Sequence, residues 1–445
     1  MSKSERLKSL LGSGYFPEEL PPPFTTVDFA KFRTSIGNVW SVLPNSYPKS
    51  IPERYSVPRP NGSRRELAIV NPIAEYHVSK LIADNWVEIR KHLRSGSYSI
   101  EPVEIVSGDA RAVPKPDFGL VALRRAEVAA LHDYILVADI SRFYGTLYTH
   151  AVPWALHGKA WAKANLNTAA FRNCIGDKLD VAVRKGNDNQ TIGIPVGPDS
   201  SRIVSEIVAV AIDTKVRAKV GADTASSLRH VDDWYIGFDT AGHSEDAISA
   251  ISAACRDYEL ELNFDKTKAV ASGTIVEPVW PAAIRQMPMS HRVSDQRKQL
   301  DHFFLQSFSY ADQFGNESVL DFAIKRSKGF RILPENWRLY ETNLLKAARA
   351  NSTTLPSVVQ ILTSYNANGY PLDKDRVAKL VRDVIQKSAP TARHAEIAWA
   401  LFLAKALRIA LRSDWVAPVS DLESSVCALL LLDLNSRGLV SGAID

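Results

Sequence analysis

The chain has 445 residues, of which 45% are hydrophobic and 23% charged, and its formal net charge at pH 7 is +5. This composition excludes a disordered or collagen-like chain, and the length predicts two or more domains. The mildly basic balance permits an anionic partner without requiring one. The three cysteines are scattered and match no metal-ligand spacing, which indicates buried thiols in a reducing compartment.

The two ends of the sequence show no targeting or membrane segment. Residues 1–16 lack the apolar core of a signal peptide, and the apolar run VCALLLL at 426–432 is too short to span a bilayer. We therefore expect a soluble, cytoplasmic protein without a membrane partner.

The first predicted elements are an arm and a hairpin. Residues 1–50 are predicted to form an N-terminal arm, since the prolines of GYFPEELPPPF (14–24) forbid a helix there. A β-hairpin is expected over 51–72, where YSV and ELAIV have strand composition and Asn61-Gly62 supplies the turn. Helical composition follows from about Ala74 to Leu93.

The next segments alternate strands with helices. YILVADISRFYGTLY (134–148) begins as an apolar strand, and 197–219 has the apolar period of a helix. SSLRHVDDWYIGFD (226–239) is predicted to form a hairpin, and it is followed by a helix over roughly 244–258 and a short strand near LELNFDKTKAV. This order predicts an α+β domain over roughly the first 280 residues.

Residues 294–445 have few strand signals and many amphipathic helices. Asp373 is the expected N-cap of one of them, and Pro390 follows its end. HAEIAWALFLAKALRIALR (394–412) predicts another long helix that is apolar on several faces, which must be buried inside the domain or against further copies of the chain. We predict an all-helical domain, with stacked helical pairs as one arrangement.

Three acidic residues stand at the ends of predicted strands. Asp139 ends an apolar strand, and Asp232 and Asp233 occupy the tip of the hairpin. Three convergent carboxylates in a dry site require cations, and two Mg²⁺-like ions there would serve phosphoryl transfer. Three unrelated surface acids are the alternative, and spacing alone favours that alternative.

The residues around these acids favour a nucleotide site. Tyr144 follows Asp139 by five positions, where its ring would oppose a sugar 2′-hydroxyl, and TIGIPVGPDSSRIVSE (191–206) offers a Gly-rich turn that leads into a helix. Lys266 is placed to meet a pyrophosphate leaving group. A clamp for triphosphate oxygens is expected around a tight turn, formed by Arg59, Arg64 and Arg65.

The order of these blocks resembles the fingers and palm of reverse transcriptases. RPNGSRREL is similar to the fingers hairpin, and the four palm motifs resemble VADISRFYGTLYTH, GIPVGPDSSRI, RHVDDW and LNFDKTK. More narrowly, FYGTLYTHAVPWALHGK (143–159), with GIPVGPDSSRIVSEI and the HVDD box, resembles the abortive-infection (Abi) reverse transcriptases, which belong with the defence-associated bacterial enzymes. The resemblance spans roughly residues 50–270.

The resemblance implies reverse-transcriptase fingers and palm over 51–293, followed at 294–445 by a helical-repeat-like domain in place of a thumb. It implies that Asp139, Asp232 and Asp233 are the catalytic metal ligands, with Mg²⁺ as the cofactor and Mn²⁺ as its substitute. The nucleotide-binding residues that it implies are Arg59, Arg65, Tyr144, Pro195, Gly197 and Lys266.

Two residues depart from the usual reverse-transcriptase pattern. His230 stands where Tyr or Phe is usual, and Val196 stands where Gln is usual. Both departures fit the Abi mode, which implies template-independent DNA synthesis from dNTPs, with the single-stranded product attached covalently to the protein. Closed homo-oligomers are usual in that family, which favours a trimer or hexamer here.

A tyrosine phenol is a suitable primer for such synthesis, since its pKa of about 10 makes it easier to deprotonate than serine. The candidates in Pro-rich segments before the palm are Tyr15, Tyr47 and Tyr55. Tyr47, in PNSYPKS, is favoured because its neighbours suggest an exposed, mobile loop.

Two other functions stay open. One is conventional RNA-templated reverse transcription, as in retrons or group II introns. The other is a catalytically silent scaffold that binds nucleic acid, against which the intact set of three acids argues, because carboxylates in a closed cleft are costly to keep.

Overall fold

The structure is a computed structural model that describes residues 1–40, 47–96, 98–100, 102–115, 117–221, 226–274, 278–315 and 317–442. Its contacts divide the chain into two compact units. The first unit comprises Met1–Pro17, Thr25–Glu53 and Ala68–Val276, and the second comprises Glu18–Phe24, Arg54–Leu67 and Glu277–Asp445. This division differs from the predicted boundaries, since most of the early hairpin groups with the C-terminal helices.

The strands of the described residues are β1 (Glu53–Pro58), β2 (Arg64–Ile69), β3 (Tyr134–Asp139), β4 (Ser227–His230), β5 (Asp233–Phe238), β6 (Lys268–Ala271), β7 (Leu411–Arg412) and β8 (Val440–Ser441). β1 and β2 form the predicted hairpin, with Gly62 at a left-handed φ of 76° in its turn. β3 to β6 form a four-stranded sheet in the order β4-β5-β3-β6, in which every neighbouring pair is antiparallel.

The helices of the first unit are α1 (Lys3–Gly12), α2 (Val27–Lys31), α3 (Arg33–Trp40), α4 (Pro72–Asp84), α5 (Trp86–Leu93), α6 (Phe118–Leu131), α7 (Phe143–Thr146), α8 (Ala151–His157), α9 (Lys159–Ala164), α10 (Ala169–Asn173), α11 (Ile175–Lys185), α12 (Asp199–Val220) and α13 (Ala241–Asp257). A short 3₁₀ helix, Ser272–Thr274, follows β6.

The four-stranded sheet is covered on both faces, because side chains alternate along each strand. Leu136 on β3 and Ile236 on β5 belong to the same buried core as the apolar side of α12. On the opposite face, Ile135 and Tyr235 pack with Val128 of α6. The sheet is thereby fixed between helices, which makes its ends a rigid platform for the acids that follow.

The N-terminal arm contains helices that were not predicted from the sequence. Ser2 and Glu5 form a capping box at the start of α1, in which Ser2 Oγ accepts from the backbone N–H of Glu5 and Glu5 Oε2 accepts from that of Ser2. The Pro-rich stretch 14–24 is non-helical, as predicted. Residues 41–46 of the predicted arm lie outside the described residues.

The helix predicted from about Ala74 to Leu93 is two helices, α4 and α5. They are separated at Asn85, which has non-helical backbone angles and donates from its side-chain amide to the Leu81 carbonyl at 2.9 Å. Asparagine side chains compete in this way with helical backbone hydrogen bonds.

The helices of the second unit are α14 (Val279–Gln286), α15 (Val293–Gln313), α16 (Val319–Ser327), α17 (Trp337–Ala350), α18 (Leu355–Ala367), α19 (Lys374–Ser388), α20 (His394–Leu407), α21 (Ser413–Ser420) and α22 (Ser425–Ser436). Three 3₁₀ turns join them, at Pro334–Asn336, Ser352–Thr354 and Ala389–Thr391. The predicted cap of α19 is confirmed, since Asp373 Oδ1 accepts from the backbone N–H of Arg376 at 3.1 Å.

Helix α20 is buried on most of its faces. Ile397, Trp399 and Leu401 are all at most 3% exposed within the single chain. Its apolar faces are therefore buried within the single chain. They do not need a second copy of the chain to cover them, so they give no independent support to an oligomer. Within the described residues, the helices are all too short or too polar to cross a membrane.

A buried carboxyl on α4 faces the start of α12. Glu75 is 2% exposed, and its two carboxyl oxygens accept from Ser79 Oγ at 2.9 Å and Ser200 Oγ at 3.0 Å. Burial raises the pKa of Glu75 to about 8, and the charges that act on it are those of Asp199, which raises the pKa, and Arg111, which lowers it. The group is therefore protonated in the folded chain at neutral pH.

We expect Glu75→Gln to flatten the dependence of stability on pH between about 5 and 8. In the unfolded chain Glu75 ionises near the ordinary glutamate pKa of 4.5, whereas in the folded chain it stays protonated up to about 8, so rising pH favours unfolding across that interval. The free energy of unfolding of the wild type is expected to fall by on the order of 4 kcal/mol as the pH rises, and the fall levels off above pH 8.

Urea unfolding at pH 5.5 and 8.5 measures this effect as the difference between variant and wild type. The control is Glu66→Gln, at an exposed position of β2. If Glu75→Gln and the wild type lose the same stability between the two pH values, the buried and protonated state of Glu75 is refuted.

Candidate active site

The three predicted acids lie together at one end of the four-stranded sheet. In the antiparallel register of β3 and β5, Asp139 is directly opposite Asp233. Asp232 occupies the turn between β4 and β5, and its carbonyl accepts from the Ile140 backbone N–H at 3.3 Å. The hairpin and the end of β3 therefore place all three residues at the same sheet edge.

The turn that carries Asp232 has a strained backbone. Val231 has a φ of 59°, which is an outlier for a β-branched residue. Its carbonyl accepts from Arg229 Nη1 at 2.6 Å. Arg229 therefore holds the residue that precedes the first acid of the pair.

Arg229 is itself the centre of a buried ionic network beneath the hairpin. Its side chain is fully buried, and its guanidinium lies 2.8 Å from Glu206 Oε1 and 2.9 Å from Asp213 Oδ2, both on α12. Asp213 also accepts from Trp234 Nε1 at 2.8 Å and from the backbone N–H of Tyr98 at 3.0 Å. The network ties the hairpin that carries Asp232 and Asp233 to the long helix behind it.

This network was not predicted from the sequence, although a signal for it exists there. Glu206 and Asp213 are seven residues apart on the otherwise apolar side of α12, and both are buried. Two acids at that spacing on an apolar helix face require a buried cation, and Arg229 in the neighbouring strand is the residue that supplies it.

The acids at the sheet edge repel one another. Burial raises the pKa of Asp232 to about 7, and the charges of Asp233 and Asp139 add to this effect. Burial and the charge of Asp139 also raise the pKa of Asp233. Because a raised carboxyl pKa means that the charged form is disfavoured, this edge of the sheet is a place where added positive charge is stabilising.

Lys266 supplies the positive charge that lies closest to Asp139. Its Nζ is 2.8 Å from Asp139 Oδ2, and the same oxygen accepts from Asn263 Nδ2 at 3.2 Å. The hydrogen bond to Asp139 raises the pKa of Lys266. The lysine side chain is 67% exposed, so it reaches Asp139 from the solvent side.

The carboxylates are not arranged as a ready metal cluster. Within the part of the chain that the structure describes, no group of three His, Cys, Asp or Glu side chains is placed to hold a metal ion. Asp139 is instead engaged by Lys266 and Asn263.

Tyr144 lies on α7, directly after the strand that ends at Asp139. Its hydroxyl accepts from Ser205 Oγ of α12 at 3.2 Å. Burial raises the pKa of Tyr144, and the charge of Asp232 contributes to the rise. The predicted gate residue is therefore anchored to α12 within electrostatic reach of the hairpin acids.

The loop with Pro195 and Gly197 packs beside Tyr144. The Ile194 backbone N–H donates to the Tyr144 carbonyl at 2.8 Å, and Pro195 is buried. Gly197 has a φ of 135°, and a Cβ there would lie 2.7 Å from Pro17 Cγ, so glycine is required. The loop therefore connects the predicted gate to the start of α12, as expected from the sequence.

The predicted arginine clamp lies on the β1–β2 hairpin. Arg64 is already engaged and cannot grip a triphosphate, because its guanidinium makes two 2.8 Å hydrogen bonds to the Glu396 carboxylate. That part of the prediction is wrong. Arg65 is exposed and Arg59 lies in the turn, and their roles stay predictions.

The expectation that Tyr47 is exposed is wrong. It is 6% exposed, and its ring stacks on His77 at a centroid distance of 4.3 Å, with Lys185 Nζ also 4.3 Å from its centroid. Burial raises the pKa of Tyr47 to about 12. Tyr15 and Tyr55 are buried as well, at 4% and 0% exposure. The aromatic rings of these Pro-rich segments are packing residues.

No protein-family model matches the chain, and no curated protein matches it significantly. Among solved structures, it is similar to apo telomerase from Candida tropicalis, with 12% sequence identity and a TM-score of 0.36 over 92% of this chain and 73% of that one. It is also similar to the same organism's telomerase in complex with the TWJ fragment of telomeric RNA, with 10% identity and a TM-score of 0.34 over 90% and 68% of the two chains. Similarity at this level assigns no activity.

Proposed function

We propose that this chain is a metal-dependent nucleotidyltransferase of the reverse-transcriptase type, which joins dNTPs into DNA. The observation that carries the proposal is the pairing of Asp139 with Asp233 across adjacent strands, with Asp232 in the connecting turn. Tyr144 and Lys266 flank the same acids, in the order that the resemblance to reverse transcriptases requires.

The residues fit a hard divalent cation by their chemistry. Carboxylate oxygens are the ligands that Mg²⁺ prefers, and the mutual repulsion that raises the pKa of Asp232 is what such a cation would relieve. Asp139, Asp232 and Asp233 would hold it. When bound, the ions stabilise the attacking and leaving oxygens of phosphoryl transfer.

The chain's own side chains would orient the substrate. The Tyr144 ring, whose hydroxyl accepts from Ser205 Oγ, would exclude a 2′-hydroxyl from the sugar site. Lys266 is 67% exposed, and its ammonium group would exchange Asp139 for the phosphates of the departing pyrophosphate.

We further propose that synthesis needs no template, starts on a protein hydroxyl and serves anti-phage defence of the abortive-infection kind. The support is the resemblance to Abi enzymes together with His230 and Val196 at positions where templated enzymes carry other residues. Tyr15, Tyr47 and Tyr55 are buried, so none of them is proposed as the attachment residue. Mass spectrometry of the nucleotide-linked peptide would identify that residue.

The test incubates the purified chain with Mg²⁺ and labelled dNTPs, with and without primed RNA. The proposal expects incorporation without any template, label that stays with the protein after denaturation, and loss of both in EDTA. Incorporation only on primed RNA would establish conventional reverse transcription instead. A chain that binds nucleic acid but incorporates nothing under any of these conditions would be the silent scaffold.

We expect Tyr144→Ala to admit ribonucleotides. The ring is the only part of the side chain that opposes the 2′-hydroxyl, so Tyr144→Phe is the matched control: it keeps the ring and loses only the hydrogen bond with Ser205. Competition between labelled rNTPs and dNTPs measures the preference. If the wild-type enzyme already uses rNTPs and dNTPs equally well, the role of Tyr144 in excluding ribonucleotides is refuted.

Assembly into a trimer or hexamer also stays a proposal, and it rests on the family resemblance. Light scattering on the purified chain at micromolar concentration is expected to give a multiple of the single-chain mass. The mass of one chain would contradict it.

A further inference from the structure

The second unit contains a basic cavity that is lined by residues of this unit alone. It has a volume of about 360 Å³ and lies between the turn of the β1–β2 hairpin and helices α17 to α20. Five basic side chains line it: Arg59, Arg64, Arg349, Lys387 and Arg393.

The two acids of the cavity are already paired. Glu396 binds Arg64 through both oxygens, and Asp383 Oδ2 lies 2.8 Å from Arg349 Nη1. Asp383 is also bound by Lys379 and Arg382 outside the cavity. Partial burial acts to raise its pKa, but the hydrogen bonds from Lys379, Arg349 and Arg382 hold the pKa well below the usual range. Five basic and two acidic side chains leave the lining with a formal charge of +3.

Arg393 brings a buried donor without an acceptor to the cavity. Its Nε is buried, and no hydrogen-bond acceptor for it exists among the described residues. Its backbone is fixed between α19 and α20, where its N–H donates to the Ser388 carbonyl at 3.1 Å. A buried charged donor without an acceptor destabilises the folded chain, and an anion in the cavity would remove that penalty.

Lys387 adds a second charge shortly before Arg393 in the chain. It is an exposed residue near the end of α19 and lines the same cavity. Ser63, Asn351 and Ser352 contribute neutral hydrogen-bonding groups to the lining. No aromatic side chain lines the cavity in the described part of the chain, so it offers no stacking surface for a base.

We propose that this cavity binds the phosphate chain of a small ligand, such as a nucleoside triphosphate, without a metal ion. Guanidinium groups match phosphate oxygens in geometry and charge, and the volume falls in the range of small-molecule sites. The ligand is recognised through its phosphates. The site uses none of the sheet-edge carboxylates. It shares Arg59 with the nucleotide-binding residues expected of the polymerase, whereas Arg393 and Lys387, on which the test depends, belong to this cavity alone.

The test is calorimetric titration of the whole chain with inorganic triphosphate in EDTA. Binding is expected in the wild type and in Asp232→Asn, and about tenfold weaker binding in Arg393→Gln and in Lys387→Gln. The matched control, Arg338→Gln, removes an exposed arginine of α17 outside the cavity and should bind as the wild type does.

A second readout separates binding from structure. Because Arg393 Nε has no partner among the described residues, Arg393→Gln should melt no lower than the wild type without ligand, whereas triphosphate should raise the melting temperature of the wild type more than that of the variant. No binding in EDTA, binding lost in Asp232→Asn, or equal weakening in Arg338→Gln would each overturn the proposal. A dT oligonucleotide that binds more tightly than triphosphate and displaces it would overturn the small-ligand assignment.

Discussion

Replacing Asp232 by asparagine is expected to lower nucleotide incorporation by about a thousandfold or more, because the amide cannot supply the negative charge that holds the catalytic cations. The fold should remain intact. Burial and the neighbouring acids already disfavour the charged form of Asp232, raising its pKa to about 7, so the neutral amide relieves repulsion in the folded chain. Incorporation of labelled dNTPs and thermal melting of the same preparations measure both effects.

The matched control for this prediction is Asp239→Asn. Asp239 follows the opposite end of β5, is 75% exposed and pairs with His132. It should incorporate dNTPs at the wild-type rate. Incorporation by Asp232→Asn at that same rate would contradict the assignment of the sheet-edge acids.

Replacing Arg229 by methionine is expected to destabilise the chain by about 3–5 kcal/mol, because it leaves Glu206 and Asp213 as buried charges without their cation. Urea unfolding measures the loss. Arg256→Met is the control, since Arg256 is exposed and its guanidinium contacts only Ser252 among the hydrogen bonds of the described residues. If the Arg229→Met chain is as stable as the wild type, the claim that Arg229 stabilises the fold by neutralising Glu206 and Asp213 is refuted.

Arg229→Lys separates positioning from stability. Lysine keeps the charge but cannot bind Glu206, Asp213 and the Val231 carbonyl at once as the guanidinium fork does. We expect this variant to fold and to bind dNTPs with a nearly unchanged KM, while kcat falls because the turn before Asp232 is no longer held. A kcat equal to that of the wild type at a temperature where both are folded would assign Arg229 a structural role only.

The sequence predicted the parts of the fold that are encoded locally. An apolar run that ends in an acid predicted β3, Asn61-Gly62 predicted the turn of the first hairpin, and Asp373 predicted the start of α19. The site residues followed from the same kind of local pattern, since Asp139, Tyr144 and the hairpin acids each lie at a strand end or directly after one. The sheet then brings them together by register.

Long-range partners were beyond the reach of local patterns. Arg64 lies 332 residues from Glu396, and nothing near Arg64 in the sequence shows that its charge is used inside the second unit. The burial of Tyr47 likewise depends on His77 and Lys185, which a Pro-rich context does not reveal. The start of α1 was also missed, although its cause is local, since the capping box of Ser2 and Glu5 can be read from the sequence.

The most direct measurement of the central claim is the position of Mn²⁺ in crystals grown with a non-hydrolysable dNTP, located by anomalous diffraction. We predict manganese about 2 Å from carboxylate oxygens of Asp139 and Asp232, with Lys266 Nζ moved away from Asp139 Oδ2, where it now lies at 2.8 Å. Manganese bound elsewhere, with Lys266 still paired to Asp139, would contradict the proposal that these acids form a nucleotidyl-transfer site.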